Sequence, residues 1–154
     1  MEQENKDLLL RYLSMALPYK VKILYNDWDY DRDCEFSSVE TLIGIDDRFI
    51  YTLKGDEKDE HSIIEPLSIL DYKPFLRPIS SMTMEEDITR IDLGIWKSNQ
   101  YNGQVIGIFQ DIAYANPLKF QSALIWLLQN HFDIFGLIPA RLAIEVTEEN
   151  NPYK

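Results

Sequence analysis

The first segment of the chain places apolar residues at the spacing of an amphipathic helix. Steps of three and four residues put the apolar positions on one helix face: Leu8, Leu9, Tyr12, Leu13, Ala16 and Leu17. Pro18 is expected to end this helix, because proline has no backbone N–H to donate. Val21, Ile23 and Tyr25 then occupy alternate positions, which predicts a partly exposed strand.

The next part of the chain carries two runs of β-branched and aromatic residues. Residues 39–45 and 48–53 are separated by two aspartates, so this pattern predicts a hairpin. The charged residues 54–60 predict an exposed loop, in which we also place His61 as a surface residue. Apolar character resumes over residues 62–70, but Pro66 disfavours a central strand there.

A proline-bracketed segment follows and leads into a helix start signal. Pro74 and Pro78 favour extended backbone at the residues that precede them. Thr83 and Glu86 have the spacing of a capping box, in which each side chain bonds the backbone N–H of the other residue. We therefore predict a short helix over residues 84–93, ending near Gly94.

The last third of the chain contains the clearest helical pattern. Residues 99–103 are typical of a turn, and residues 105–109 fit either a strand or a short helix. Pro117 suits the first position of a helix whose apolar residues are Leu118, Phe120, Ala123, Leu124, Leu127 and Leu128. Pro139 fits the first turn of a further short helix, or a loop, that ends near Val146.

This order of elements predicts one α+β domain over residues 1–147, followed by a polar tail over residues 148–154. The domain is expected to hold a small antiparallel sheet packed against an N-terminal and a C-terminal helix. A chain of 154 residues, 45% of them hydrophobic, is long enough for one such core.

Charge restricts the classes of partner. A net charge of -11 repels phosphate backbones and anionic lipid, so we expect neither direct nucleic acid binding nor membrane binding. An unidentified protein partner with a basic surface remains compatible. The single cysteine excludes an intrachain disulfide, and the chain opens without a leader pattern, so we expect a cytoplasmic protein.

An acidic stretch is the main candidate for a metal site. Carboxylate oxygens are the ligands that calcium prefers, and five of them occur within nine residues: Asp27, Asp29, Asp31, Asp33 and Glu35. Arg32 and Ser38 occupy the positions where an EF-hand loop needs glycine and glutamate. We therefore expect a solvated loop between two strands; the alternative is a cation-binding or metal-dependent enzyme site, to which Asp46, Asp47 or His131 would add a ligand.

Other catalytic chemistry finds little support. The chain has no Gly-x-Ser-x-Gly elbow and no phosphate-binding glycine loop, and Cys34 stands among acids that disfavour its thiolate. His131 is expected to serve a structural or capping role. We predict no catalytic residue and no cofactor, although Trp28 and Tyr30 in the acidic stretch are candidate anchors for a protein interface.

Three parts of the sequence resemble one family. Residues 76–86, Leu-Arg-Pro-Ile-Ser-Ser-Met-Thr-Met-Glu-Glu, are similar to a motif of small uncharacterised proteins encoded by phages and integrated elements of anaerobic gut bacteria. Residues 8–23 resemble that family's opening helix and strand, with Lys20 in place of a frequent glycine. Residues 131–138 and 142–145 resemble its ending, with Pro139 as a departure. The resemblance implies a bacterial host cell, and it carries over no catalytic residue.

The sequence therefore favours a non-enzymatic accessory protein of a phage or mobile element that acts by binding another protein. A sharper version of this hypothesis is an acidic mimic of nucleic acid, which would require a continuous surface band of carboxylates. Two alternatives stay open: the cation site described above, and a virion or assembly component.

Overall fold

The computed structural model describes residues 2–29, 32–46, 50–54, 61–64, 72–98, 105–108 and 116–154. Three helices are seen there: α1 (Glu2–Ala16), α2 (Met84–Asp92) and α3 (Pro117–Gln129). Eight strands accompany them: β1 (Lys22–Asp29), β2 (Cys34–Ile45), β3 (Ile50–Lys54), β4 (His61–Ile64), β5 (Tyr72–Leu76), β6 (Ile95–Ser98), β7 (Val105–Ile108) and β8 (Ile144–Glu145). The predicted α+β class is confirmed.

Helix α1 supplies the centre of the main core. Leu9, Tyr12, Leu13 and Ala16 are completely buried, which is the face that the spacing of three and four residues predicts. They pack with Val21, Ile23 and Leu42 of the sheet. A single 3₁₀ turn over Leu17–Tyr19 contains Pro18 and ends the helix.

The main sheet has the strand order β4-β3-β2-β1-β5-β8. The first four strands form an antiparallel meander, and β5 then pairs with β1 on the opposite side from β2. The two residues of β8 extend this edge by a parallel pairing with β5. Because β4 includes His61, that residue lies on a strand and not in the charged loop where the sequence suggested it.

The acidic stretch is mostly strand, so the expected loop is wrong in extent. Strand β1 continues to Asp29 and β2 begins at Cys34, with these two residues paired. On one regular strand, the five alternating acids would share a face and repel one another. The chain reverses between them, and Glu35 pairs with Trp28, whose position is on the opposite face from Asp27 and Asp29. Asp33 takes a positive φ of 51° in the turn, which aspartate tolerates better than most residues.

A smaller core lies beside the sheet. It consists of Ile79, Ile95, Ala123, Leu127 and Phe132, with Trp126 and Leu93 packed against it. Helix α3 begins as predicted, since Asn116 caps the backbone N–H of Lys119 and Pro117 follows it. The open choice over residues 105–109 resolves as strand β7 for the first four of them, and Phe109 lies outside the described residues.

The C-terminal segment lies against the sheet, although the sequence suggested a polar tail. The backbone N–H of Val146 donates to the carbonyl of Leu76, at 2.8 Å. The hydroxyl of Tyr153 accepts from the backbone N–H of Lys22 and donates to the carbonyl of Phe75, at 3.2 and 2.7 Å. Residues 137–143 form turns and lead into β8, so the loop forms there and the short helix, the other predicted alternative, does not. Residues 55–60 of the predicted charged loop, residues 65–70 of the apolar run and the predicted turn over residues 99–103 lie outside the described residues.

Candidate functional site

Helix α2 is held at its start by the predicted capping box. The Thr83 hydroxyl accepts from the backbone N–H of Glu86 at 3.2 Å, and the Glu86 carboxylate accepts from the backbone N–H of Thr83 at 2.8 Å. Two of the backbone donors that a helix leaves without partners are thereby satisfied. Gly94 takes a positive φ of 72° just after the helix, as a C-terminal glycine commonly does.

The same carboxylate ties α2 to the sheet. Both terminal guanidinium nitrogens (Nη1 and Nη2) of Arg77, directly after β5, donate to Glu86, at 2.7 and 2.9 Å. Arg77 also stacks over the ring of Phe132 at 4.4 Å, and its backbone bonds to His131 and Asp133. This two-point ion pair is the main reason that the pKa of Glu86 lies below its ordinary value. Arg77 therefore joins α2, the sheet and the segment after α3.

A second arginine fixes the end of α2. Arg90 is buried, and its guanidinium donates to the carbonyl of Ile95 at 2.6 Å and to the Asp87 carboxylate at 2.9 Å. The helix is thus anchored at both ends by polar contacts on its inner side. Its outer side is consequently presented in a fixed orientation.

The outer side of α2 carries a stripe of exposed apolar residues. Met84, Ile88 and Ile91 are 83%, 55% and 60% exposed. At about 100° per residue, steps of four and three residues keep them within roughly 60° of one another around the helix. We call these three residues the α2 stripe. Isolated exposed apolar residues are ordinary, but a continuous row of them often marks a binding surface.

A buried polar cluster lies on the other side of Arg77 from α2, where Tyr12 of α1 meets the C-terminal segment. The rings of His131 and Tyr153 stack with their centroids 4.0 Å apart. The carboxylate of Asp133 accepts from the backbone N–H groups of Leu137 and Ile138, both at 2.8 Å. Among the described residues, the buried Tyr12 hydroxyl and His131 Nδ1 have no hydrogen-bond partner.

Burial moves the pKa values of the titratable side chains in this cluster away from pH 7. It lowers the pKa of His131 to about 4, with the nearby Arg77 charge adding to the effect. It raises the pKa of both Tyr12 and Tyr153 well above the ordinary tyrosine value. All three side chains are therefore neutral near pH 7, which suits a structural role better than proton transfer.

An open groove of about 330 Å³ borders this cluster. It is lined by Arg77, Ser81, Val146, Thr147, Glu148, Asn151 and Lys154. The Arg77 guanidinium is already neutralised by Glu86, and the Lys154 ammonium donates to the Glu148 carbonyl at 3.1 Å. Both cations that line the groove therefore already have an acceptor within the protein.

The predicted metal ligands lie along the β1–β2 hairpin. Asp27, Asp29 and Glu35 are on its strands and Asp33 is in its exposed turn, while Asp31 lies outside the described residues. Within the part of the chain that the structure describes, no group of three or more histidine, cysteine or carboxylate residues could hold a metal ion. Of the two candidate anchors, Trp28 is on β1, and Tyr30 lies outside the described residues.

Sequence reasoning missed the α2 stripe, although the signal was present. The capping box predicts where the helix begins, and the spacing of Met84, Ile88 and Ile91 then follows from the sequence. A row of apolar residues in a short helix is usually the buried face, however. Only the structure shows that the helix is anchored by its polar side.

Comparison with known proteins adds no identification: no family model, curated protein or solved structure gives a significant match to this chain. In the described ranges, no helix is both long enough and apolar enough to cross a membrane.

Proposed function

We propose that the protein is a non-enzymatic accessory protein of a phage or mobile element, and that it acts by binding another protein through the α2 stripe. The observation that carries this proposal is the exposure of Met84, Ile88 and Ile91 on a helix whose inner side is fixed. The phage setting rests on the sequence resemblance at residues 76–86, a segment that includes the start of this helix.

The organisation of the polar groups supports binding over catalysis. The buried histidine and tyrosines are neutral near pH 7, and the bordering groove has its cations already engaged. A general acid or base works best when its pKa lies near the operating pH. The α2 stripe, by contrast, offers apolar surface whose removal from water would favour association.

Nucleic-acid mimicry has less support than binding through apolar surface. Glu40 and Asp133 are buried, and Glu86 and Asp87 are bonded to arginines, so these four acids contribute little to a band of exposed negative charge. Glu40 accepts hydrogen bonds from the Ser38 and Thr52 hydroxyls inside the sheet. A mimic needs unpaired, evenly spaced surface charge.

A pull-down from host lysate with three forms of the protein tests the proposal. The stripe variant Ile88→Asp/Ile91→Asp places charge on the proposed surface. The matched control Leu10→Asp/Leu118→Asp makes the same change at two exposed leucines on α1 and α3. We expect a protein that is retained by the wild type and by the control but lost with the stripe variant.

Equal retention by all three forms would overturn the proposal. So would turnover of a substrate by the purified wild type in a broad hydrolase screen. Circular dichroism of each form verifies that it is folded, which we expect because all four positions are exposed.

A further inference from the structure

The flanks of the α2 stripe indicate what kind of partner it fits. Met84, Ile88 and Ile91 are separated by four and then three residues, which is the d-a-d spacing of a coiled-coil seam. Glu85, Asp87 and Asp92 then fall at the e and g positions beside that seam. Every flanking position within this heptad segment is therefore acidic. Arg90 already pairs with Asp87, so the flanking charge that a partner meets comes from the exposed Glu85 and Asp92.

Two of the remaining positions, f and c, contact the body of the protein and agree with this assignment. Glu86 falls at position f, opposite the seam, and it bonds Arg77. Arg90 falls at position c, and it is buried against the carbonyl of Ile95. The side that anchors the helix is thus opposite the side that carries the stripe.

We propose that the α2 stripe pairs with an amphipathic helix of the partner protein whose own e and g positions carry lysine or arginine. This inference rests on the proposed function. Residues at e and g select partners by charge, and opposite signs across the seam favour association. A helix is the fitting occupant because the stripe is a narrow seam, the surface that one neighbouring helix covers, and because a helix satisfies its own backbone hydrogen bonds.

A second copy of the chain is a poor occupant for the same reason. Pairing two α2 stripes would bring two acidic flanks together, in addition to the repulsion between two chains of charge -11. Like charges in juxtaposition oppose association. The flanks therefore act against self-pairing while they favour a basic helix.

The contact is short, which sets the expected affinity. Met84 and Ile91 are seven residues apart, or about 10 Å along the helix at the usual rise of 1.5 Å per residue. A seam of about two turns is at the small end of specific interfaces, so we expect a Kd in the micromolar range or weaker. The fixed orientation of α2 helps, because less ordering is required on binding.

The test uses two designed helical peptides of about three heptads, both with leucine at a and d. One peptide carries lysine at e and g, and the other carries glutamate there. Nuclear magnetic resonance titration of the labelled full chain detects weak binding and locates it. We expect the lysine peptide to shift the α2 amide signals and to bind at least about tenfold more tightly than the glutamate peptide.

Charge exchange on the protein is the decisive variant. Glu85→Lys/Asp92→Lys should reverse the preference, so that the glutamate peptide binds more tightly. The control Glu148→Lys/Glu149→Lys changes the net charge equally at exposed C-terminal positions and should keep the preference for lysine. A wild type without preference, or a control that reverses it as fully as the α2 variant, would overturn the proposed partner.

The outcomes separate the two proposals. In one outcome, a host protein is no longer retained by the Ile88→Asp/Ile91→Asp variant, but the wild type binds the two peptides equally. This outcome would support the α2 stripe as the binding surface and would overturn the basic helix as its partner. Dimerisation of the wild type in sedimentation that is abolished by the same variant would identify a second copy as the occupant. That result would also overturn the basic helix.

Discussion

Helices α1 and α2 carry apolar residues at similar helical spacings, yet they bury them to opposite extents. Leu9 and Leu13 of α1 are completely buried under the sheet, whereas Ile88 and Ile91 of α2 are more than half exposed. The difference comes from what anchors each helix. Apolar packing places α1, while the ion pair of Glu86 and the buried Arg90 place α2 by its polar side. A row of apolar residues thus identifies one face of a helix, but it does not show whether that face is buried in the fold.

The largest expected effect on stability is at α1, the helix whose apolar face is buried. Leu13→Ala should lower the free energy of unfolding by about 2–5 kcal/mol, because it leaves a cavity in a fully packed site. Urea denaturation followed by circular dichroism measures the change. A loss below about 1 kcal/mol would mean that α1 is not the centre of the core.

Tyr153→Phe tests whether the C-terminal segment also contributes to the stability of the fold. We expect a loss of about 1–3 kcal/mol, since the change leaves the Lys22 N–H and the Phe75 carbonyl without their partner. Tyr19→Phe is a matched control at a half-buried tyrosine, and it should cost less. Equal losses for the two variants would show that the Tyr153 hydroxyl bonds add no stability.

Thr83→Ala tests whether polar contacts hold the start of α2. We expect a loss of about 1 kcal/mol, the usual effect of removing a helix N-cap, together with faster amide exchange in α2. Thr89→Ala is the control on the same helix, because the Thr89 hydroxyl bonds only the Glu85 carbonyl of the preceding turn. Unchanged exchange in the Thr83 variant would contradict this account of α2.

The His131 site predicts a dependence of stability on pH. Its folded pKa of about 4 lies below the ordinary histidine value of 6.5, so the unfolded chain binds a proton in this window before the folded chain does. Stability should therefore fall as the pH is lowered from 6.5 towards 4. His131→Asn keeps a residue that tolerates the positive φ of 57° and should reduce that slope in urea titrations. An equal slope in the variant would assign the effect to other groups.

The smallest expected effect on stability is at the exposed α2 stripe. Ile88→Ala should change the free energy of unfolding by no more than about 0.5 kcal/mol, because the side chain is already largely in water. The same urea measurement as for Leu13→Ala decides it. A loss of about 2 kcal/mol or more is the range expected when a buried side chain is truncated. Such a loss would show that the stripe is buried in the fold, and it would contradict the proposed binding surface.

Local signals predicted much of this fold, and long-range pairing accounts for what they missed. Pro18, the capping box of Thr83 and Pro117 each depend on a few neighbouring residues, and all three mark helix boundaries as expected. The strands through Asp29 and Cys34 depend on a partner across a reversal of the chain, which composition does not reveal. The exposure of the α2 stripe likewise depends on contacts outside the helix, from Arg77 to Glu86 and from Arg90 to the Ile95 carbonyl, which the apolar pattern of the helix does not reveal.

The opposed placement of anchor and stripe on α2 has a consequence for how such a protein changes. Positions 84, 88 and 91 can be rewritten without disturbing the contacts of Glu86 and Arg90, so recognition and folding draw on separate residues of one short helix. New specificity is then reachable by single substitutions that keep the chain folded. A protein engineer could likewise change the binding specificity of α2 while keeping the rest of the fold constant.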